Sequence, residues 1–294
     1  MPSSSSSEAS DEAEDEPHAC LSALSVDTDV GERPALLTTL PIDTLLLIAH
    51  FLQDALSPCH LSSLSRSCTT LTDALADAIV ALRRDHRQAE RLCLRCSITV
   101  GGLVASRELK WYEKELGSAD APVLGLVLKS DVLIKLEVLW LNYNHLGDDG
   151  AIELALAVGS GSMPRLRKLE LRHGEIGDAG LRALSHATCT GSGALKKLET
   201  LDLSENCIGD GGVCAFASAL TTGALPRLSL LDLDDNEIGA AGVYALMAAA
   251  AHKKLSRLEW LNLRRNDFGR EGAIVLARHC RRLLPSLREL WDVP

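Results

Sequence analysis

Rings are scarce in this chain: four Trp, three Tyr and three Phe stand among 294 residues, 3% of the total. Large aromatic side chains are what usually fill a broad central core. A chain that is 46% apolar yet relies on Leu, Val and Ala is therefore expected to pack in thin layers, as stacked strands and helices do. Long apolar runs are missing too. The longest, around "LLLIAHFL" at 45–52, falls well short of the ~20 residues that cross a bilayer, so no membrane-spanning segment is expected. The opening "MPSSSSSEASDEAEDEPH" has neither the basic start nor the apolar stretch of a secretory leader, and the expected location is cytoplasmic or nuclear.

Catalytic signatures are also absent. No Gly-rich loop ends in Gly-Lys-Ser/Thr; "GSGALKK" at 191–197 lacks the final hydroxyl residue. No HExxH occurs, and the nine histidines show no ligand spacing. The expectation is a non-enzymatic chain without a cofactor. Nine cysteines, an odd number scattered from Cys20 to Cys280, do not form a disulfide framework. Cys93 and Cys96 make one CxxC, but zinc needs a second ligand pair at suitable spacing, so the two are expected to be a structural helical pair.

The net charge of −10 is local. Residues 1–35 hold nine acids against Arg33 alone, which leaves 31 acids and 29 bases in the rest of the chain. Without a basic stripe, nucleic acid is an unsuitable partner. Residues 1–35 carry too little apolar content to offset their ordering entropy and are expected to be a disordered acidic tail.

What the chain has in abundance is repetition. LxxLxLxxNxL recurs as "LEVLWLNYNHL" (136–146), "LRKLELRHGEI" (166–176), "LETLDLSENCI" (198–208), "LSLLDLDDNEI" (228–238) and "LEWLNLRRNDF" (258–268). The second leucine falls at Leu139, Leu169, Leu201, Leu231, Leu261 and, in a truncated copy, Leu290. Stepping back 30 from Leu139 reaches Leu109, and the same shift sets Trp111 on Leu141, so a degenerate first copy starts near Ser106. Within each copy the LxL triplet alternates as a strand does, then Gly-Asp-x-Gly or a relative leads into an Ala/Leu pattern of helical period. Asp148, Asp178 and Asp210 stand where a side chain can cap a helix.

On these residues the segment 106–294 resembles the leucine-rich repeats of the ribonuclease-inhibitor type. The resemblance implies an α/β solenoid, a horseshoe with parallel strands on its concave side and helices on its convex side. It also implies an asparagine ladder, which Asn144, Asn206, Asn236 and Asn266 fit and Gly174 interrupts.

Alternation along a strand turns the leucines inward and the residues between them outward. The outward positions assemble three zones: Trp140 and Tyr143 with Arg172 near the start, an acidic middle of Asp202, Glu205, Asp232, Asp234 and Asp235, and Trp260 with Arg264 and Arg265 towards the end. Exposed Trp is enriched at interface anchors, so these are the candidate contacts to a protein substrate or partner.

Before the repeats, Leu40-Pro41 opens an amphipathic stretch with Leu45, Ile48, Phe51 and Leu52 on one stripe, and Leu61 and Leu64 continue a second stripe after Pro58. Residues 36–72 resemble an F-box, with 73–105 as a helical linker to the repeats. That resemblance implies docking to a Skp-family adaptor and a cullin ligase core, making the chain a substrate-recognition subunit of an SCF-type ubiquitin ligase. The other reading is a leucine-rich-repeat regulator, similar to ribonuclease inhibitors or GTPase activators, with no ubiquitin role; there the helical segment only caps the array.

Overall fold

The three residues centred on the second leucine of each motif form a strand, in which that leucine is buried while its flanks turn to the opposite face. The computed structural model describes residues 69–129, 133–190, 195–253 and 255–291. The acidic tail and the segment carrying Leu40, Pro41, Leu45, Ile48, Phe51, Leu52, Leu61 and Leu64 lie outside the described residues.

Two helices come first, α1 (Thr69–Arg95) and α2 (Val100–Ala105). Strands β1 (Glu108–Lys110), β2 (Val138–Trp140), β3 (Lys168–Glu170), β4 (Thr200–Asp202), β5 (Leu230–Asp232), β6 (Trp260–Asn262) and β7 (Glu289–Trp291) follow in one parallel sheet, in sequence order. Helices α3 (Ala121–Leu128), α4 (Gly147–Gly159), α5 (Asp178–Thr190), α6 (Asp210–Thr221), α7 (Ala240–Ala251) and α8 (Gly269–Leu283) alternate with them. The register sets Leu109, Leu139, Leu169, Leu201, Leu231, Leu261 and Leu290 side by side. This is the expected leucine-rich-repeat solenoid. Among the described residues no helix is long and apolar enough to cross a membrane.

The core lies between sheet and helices and is continuous from unit to unit. Leu139, Leu169 and Leu231 are wholly buried, and each such side chain contributes about 1.5–3 kcal/mol of transfer free energy. Trp111 takes the place of a leucine in the degenerate first unit and is buried. The open end of the first unit is covered by α1 and α2, which bring Leu92, Cys93, Cys96 and Leu103 into the same core. Solenoids need such a cover, since an end unit has no neighbour to bury its apolar face.

Asparagine side chains join successive turns, Asn144, Asn206 and Asn236 buried and Asn266 half-buried. The Asn206 side-chain amide donates to the carbonyls of Leu171, Leu203 and Ser204, while its Oδ1 accepts from Gly174 N and Ile176 N. Asn144, Asn236 and Asn266 bond across to the preceding turn in the same manner. Where Gly174 breaks the ladder, the backbone itself closes the gap: Gly147 N donates to Gly174 O at 2.9 Å.

The aspartates differ from the expectation of local caps. Asp148 Oδ1, at the start of α4, accepts from Gly177 N and Gly180 N at the start of the next helix, α5, both at 2.8 Å. Asp210 on α6 does the same for Gly239 and Gly242 at α7, and Asp178 on α5 reaches Gly209 at α6. Each carboxylate thus caps the helix one unit ahead, latching neighbours together, and an anionic group there also complements the helix dipole. A Cβ at Gly180 would stand 2.8 Å from Asp148 Oδ1 and 2.7 Å from Ala151, so glycine is what lets the latch close.

Helices α4 and α8 have no such carboxylate in the unit before them, since Ser118 and Ala240 occupy the position. These two helices begin differently, with Gly147 and Gly269 at φ of 59° and 57°. By contrast Gly209 and Gly239, which meet a carboxylate, are extended. Asp210→Ala is expected to destabilise the fold by about 1–2 kcal/mol in urea unfolding, as a lost cap does. Asp149→Ala, at an exposed position on α4, should change it by under ~0.5 kcal/mol. Equal effects would contradict the latch.

Candidate functional site

With the leucines turned to the helices, the other face of the sheet is lined by what lies between them. The parallel register stacks these residues in rows. One row reads Lys110, Trp140, Glu170, Asp202, Asp232, Asn262, and a second reads Glu108, Val138, Lys168, Thr200, Leu230, Trp260. Past the strands, Glu113, Tyr143, His173, Glu205, Asp235 and Arg265 all sit in the left-handed region, with φ between 52° and 55°. Holding non-glycine residues there costs roughly 1–2 kcal/mol apiece, and none of the six is β-branched. The turn so made carries the backbone into the asparagine ladder.

At the start of the face Trp140 is half-buried between two ammonium groups, with Lys110 Nζ 5.2 Å and Lys168 Nζ 5.6 Å from its ring. Lys168 is also held by Glu170 at 2.6 Å. Tyr143 is exposed, stacks against His173 at 5.6 Å and lies 5.4 Å from the Arg172 guanidinium. Cation–π contacts of this kind contribute about 0.5–1 kcal/mol each at exposed sites, and they fix ring orientation.

The middle zone departs from the expected acidic patch. Glu205 is gripped by Arg172 at 2.5 Å, with His173 at 3.5 Å and Arg265 at 3.9 Å. Although burial pushes the Glu205 carboxyl upward, the bond and charge of Arg172 hold it below its ordinary value. Arg265 bonds Asp234 and lies 3.4 Å from Asp235. The repeat period of about 30 carries these arginines across one or two units onto the acids, neutralising most of the patch. Trp260 is half-buried on β6, and Arg264 is exposed beside Arg265 at the far side.

Two acids stay outside this network. Asp202 accepts from Ser204 N and Oγ through Oδ1, and Asp232 accepts from Asp234 N through Oδ1 and from the side chain of Asn262. Neither forms an ion pair with a described residue. Burial raises the Asp202 carboxyl, and burial with the neighbouring Asp202 charge pushes Asp232 up to about 6. Folded Asp232 therefore binds its proton more tightly than the unfolded chain does, so its charge opposes folding above pH 6, and the penalty fades as pH falls towards 4. Asp232→Asn is expected to raise the melting temperature at pH 7.5 and to lose that advantage by pH 4.5. A lower melting temperature at pH 7.5 would contradict this.

Lys110, Lys168, Glu170, Asn142 and Leu230 belong to the face as well, although the sequence reading did not single them out. Their repeat positions set Lys110 beside Trp140 and Leu230 beside Trp260. Cys93 and Cys96 are buried, and burial pushes the Cys96 thiol up to about 12, so neither is a ready thiolate ligand. Among the described residues no group of three or more His, Cys, Asp or Glu is arranged for a metal. A hollow of about 340 Å³ opens at the entry ends of the strands, lined by Glu199, Arg227, Ser229, Arg257, Glu259 and Ser286; no candidate residue lines it.

These features define a leucine-rich-repeat solenoid with a polar and aromatic strand face. The Leucine Rich repeat family model matches residues 132–155, 163–185, 194–217, 228–247 and 258–277. No curated protein matches the chain. Among solved structures it is similar to leiomodin-1 actin-binding site 2, at 19% identity over 50% of this chain and 79% of that one, with a TM-score of 0.40. The repeats support a role in protein interaction.

Proposed function

We propose that the chain is a non-enzymatic binding protein that holds a protein partner on its strand face. The observation carrying this reading is the placement of Trp140, Tyr143 and Trp260 on an open sheet, outside a core that needs none of them. Three rings among so few, two of them in cation–π contacts, with Arg172, Arg264 and Arg265 nearby, have the composition of interface anchors. The repeat helices compete less: of their exposed apolar side chains, Ile152 and Leu156 one turn apart, Tyr244 three units on and Ile274 after it, one carries a ring.

Affinity purification with the full chain tests the choice of face. Trp140→Ala with Trp260→Ala should lose, by about tenfold or more, the proteins that the unsubstituted chain retains, and Ile152→Ala with Leu156→Ala should keep them. The reverse pattern would move the site to the helices.

A ligase role is the finer reading. It rests on the F-box resemblance of residues 36–72 and on their place ahead of the repeats, as in substrate receptors that supply proximity and no chemistry. The regulator reading needs only the array. A pull-down with a Skp-family adaptor separates them: the chain should bind, and Ile48→Asp with Phe51→Asp should not. Absence of binding, or equal binding by the variants, would leave the regulator reading.

A further inference from the structure

The half-buried carboxylates of the strand face are Glu170, Asp202, Glu205, Asp232 and Asp234. Three have a cation of their own, from Lys168, Arg172 and Arg265. Asp202 and Asp232 do not, and they lie side by side in register on β4 and β5. Two residues earlier on the same strands and on β6 runs a half-buried row, Thr200, Leu230 and Trp260. Any partner laid on this part of the sheet would remove both carboxylates from water. An apolar or acidic cover would leave uncompensated charge, which costs several kcal/mol per ion. A cationic group covers the site without that cost.

We propose that the strand face receives a lysine side chain of its protein partner, its ammonium between Asp202 and Asp232 and its aliphatic stem along Leu230 and Trp260. This rests on the strand face being the binding face. Three features select lysine. The apolar row beside the acids suits a four-carbon stem that buries its methylenes while delivering charge at its tip. Strands about 4.8 Å apart place one carboxylate on each side of a compact ammonium with three donors. Arginine is less suited, because its fork wants both oxygens of one carboxylate, and Oδ1 of each aspartate is already taken by Ser204 or Asp234.

The test is selection of random twelve-residue peptides by display against the full chain, with the same selection against Asp202→Asn with Asp232→Asn and against Trp140→Ala with Arg172→Ala. Asn keeps the Oδ1 acceptor, so the first pair should fold, which a melting curve verifies. Expected are peptides enriched in lysine next to an apolar residue, weakened about tenfold or more when the lysine becomes norleucine, and weakened similarly by the Asp202/Asp232 pair. Lysine-rich peptides indifferent to that pair would overturn the proposal. Peptides without lysine enrichment that are lost with Trp140/Arg172 would overturn it while leaving the strand face as the binding face. A selection yielding no peptide at all would overturn both.

Discussion

The structure depends on one buried side chain repeated down the array: an asparagine whose carboxamide bonds its own turn and the turn before it. A three-residue strand is too short to hold a sheet by its ladder alone. Asn206 bridges Leu171 O and Ile176 N on one side to Leu203 O and Ser204 O on the other, and both turns are buried. Removing it would orphan backbone groups at about 1–3 kcal/mol each. Because the amide reaches across units, it fixes the register of one strand against the next as well as the shape of each turn. The left-handed residues before each asparagine exist to let it do so.

The aspartate latches perform the corresponding task on the helix side. Each junction between neighbouring units carries a rung, a latch or both, and the leucines fill what lies between. Function follows from what this arrangement leaves unused. No core contact calls for Trp140, Tyr143, Asp202, Asp232 or Trp260, since all face away from the leucines. Their mutual placement is nevertheless fixed by the register, so the fold presents a preorganised surface at small cost in side-chain ordering.

Much of this was legible in the sequence, and the reason is periodicity. A motif that returns every 30 residues or so identifies strand, helix, inward leucine and outward residue without reference to any other part of the chain. What was not legible depends on contacts between copies. Asp148 reads as a cap for α4 because capping is usually local, whereas its bonds go to Gly177 and Gly180. The row "LDLDD" at 231–235 reads as an acidic patch. In the structure Arg265 covers Asp234 and approaches Asp235, and only Asp232, with Asp202, is left without a cation. Gly174 marked a missing rung correctly, but the backbone bond that replaces the rung has no sequence signal. Residues 36–72 stand almost wholly outside the described residues, so the F-box resemblance remains a sequence argument.

Hydrogen exchange of the full chain, resolved to single amides, tests most directly that bonds between copies hold the array together. The amides of Ile176, Ile208 and Ile238, which donate to asparagines of the next unit, should exchange only with global unfolding, together with Gly177 and Gly239 at the latched helix starts. Gly269, where no carboxylate waits in the preceding unit, should exchange well before them. Loop amides that all exchange as fast as Gly269 would show that each unit stands by itself and would contradict the account.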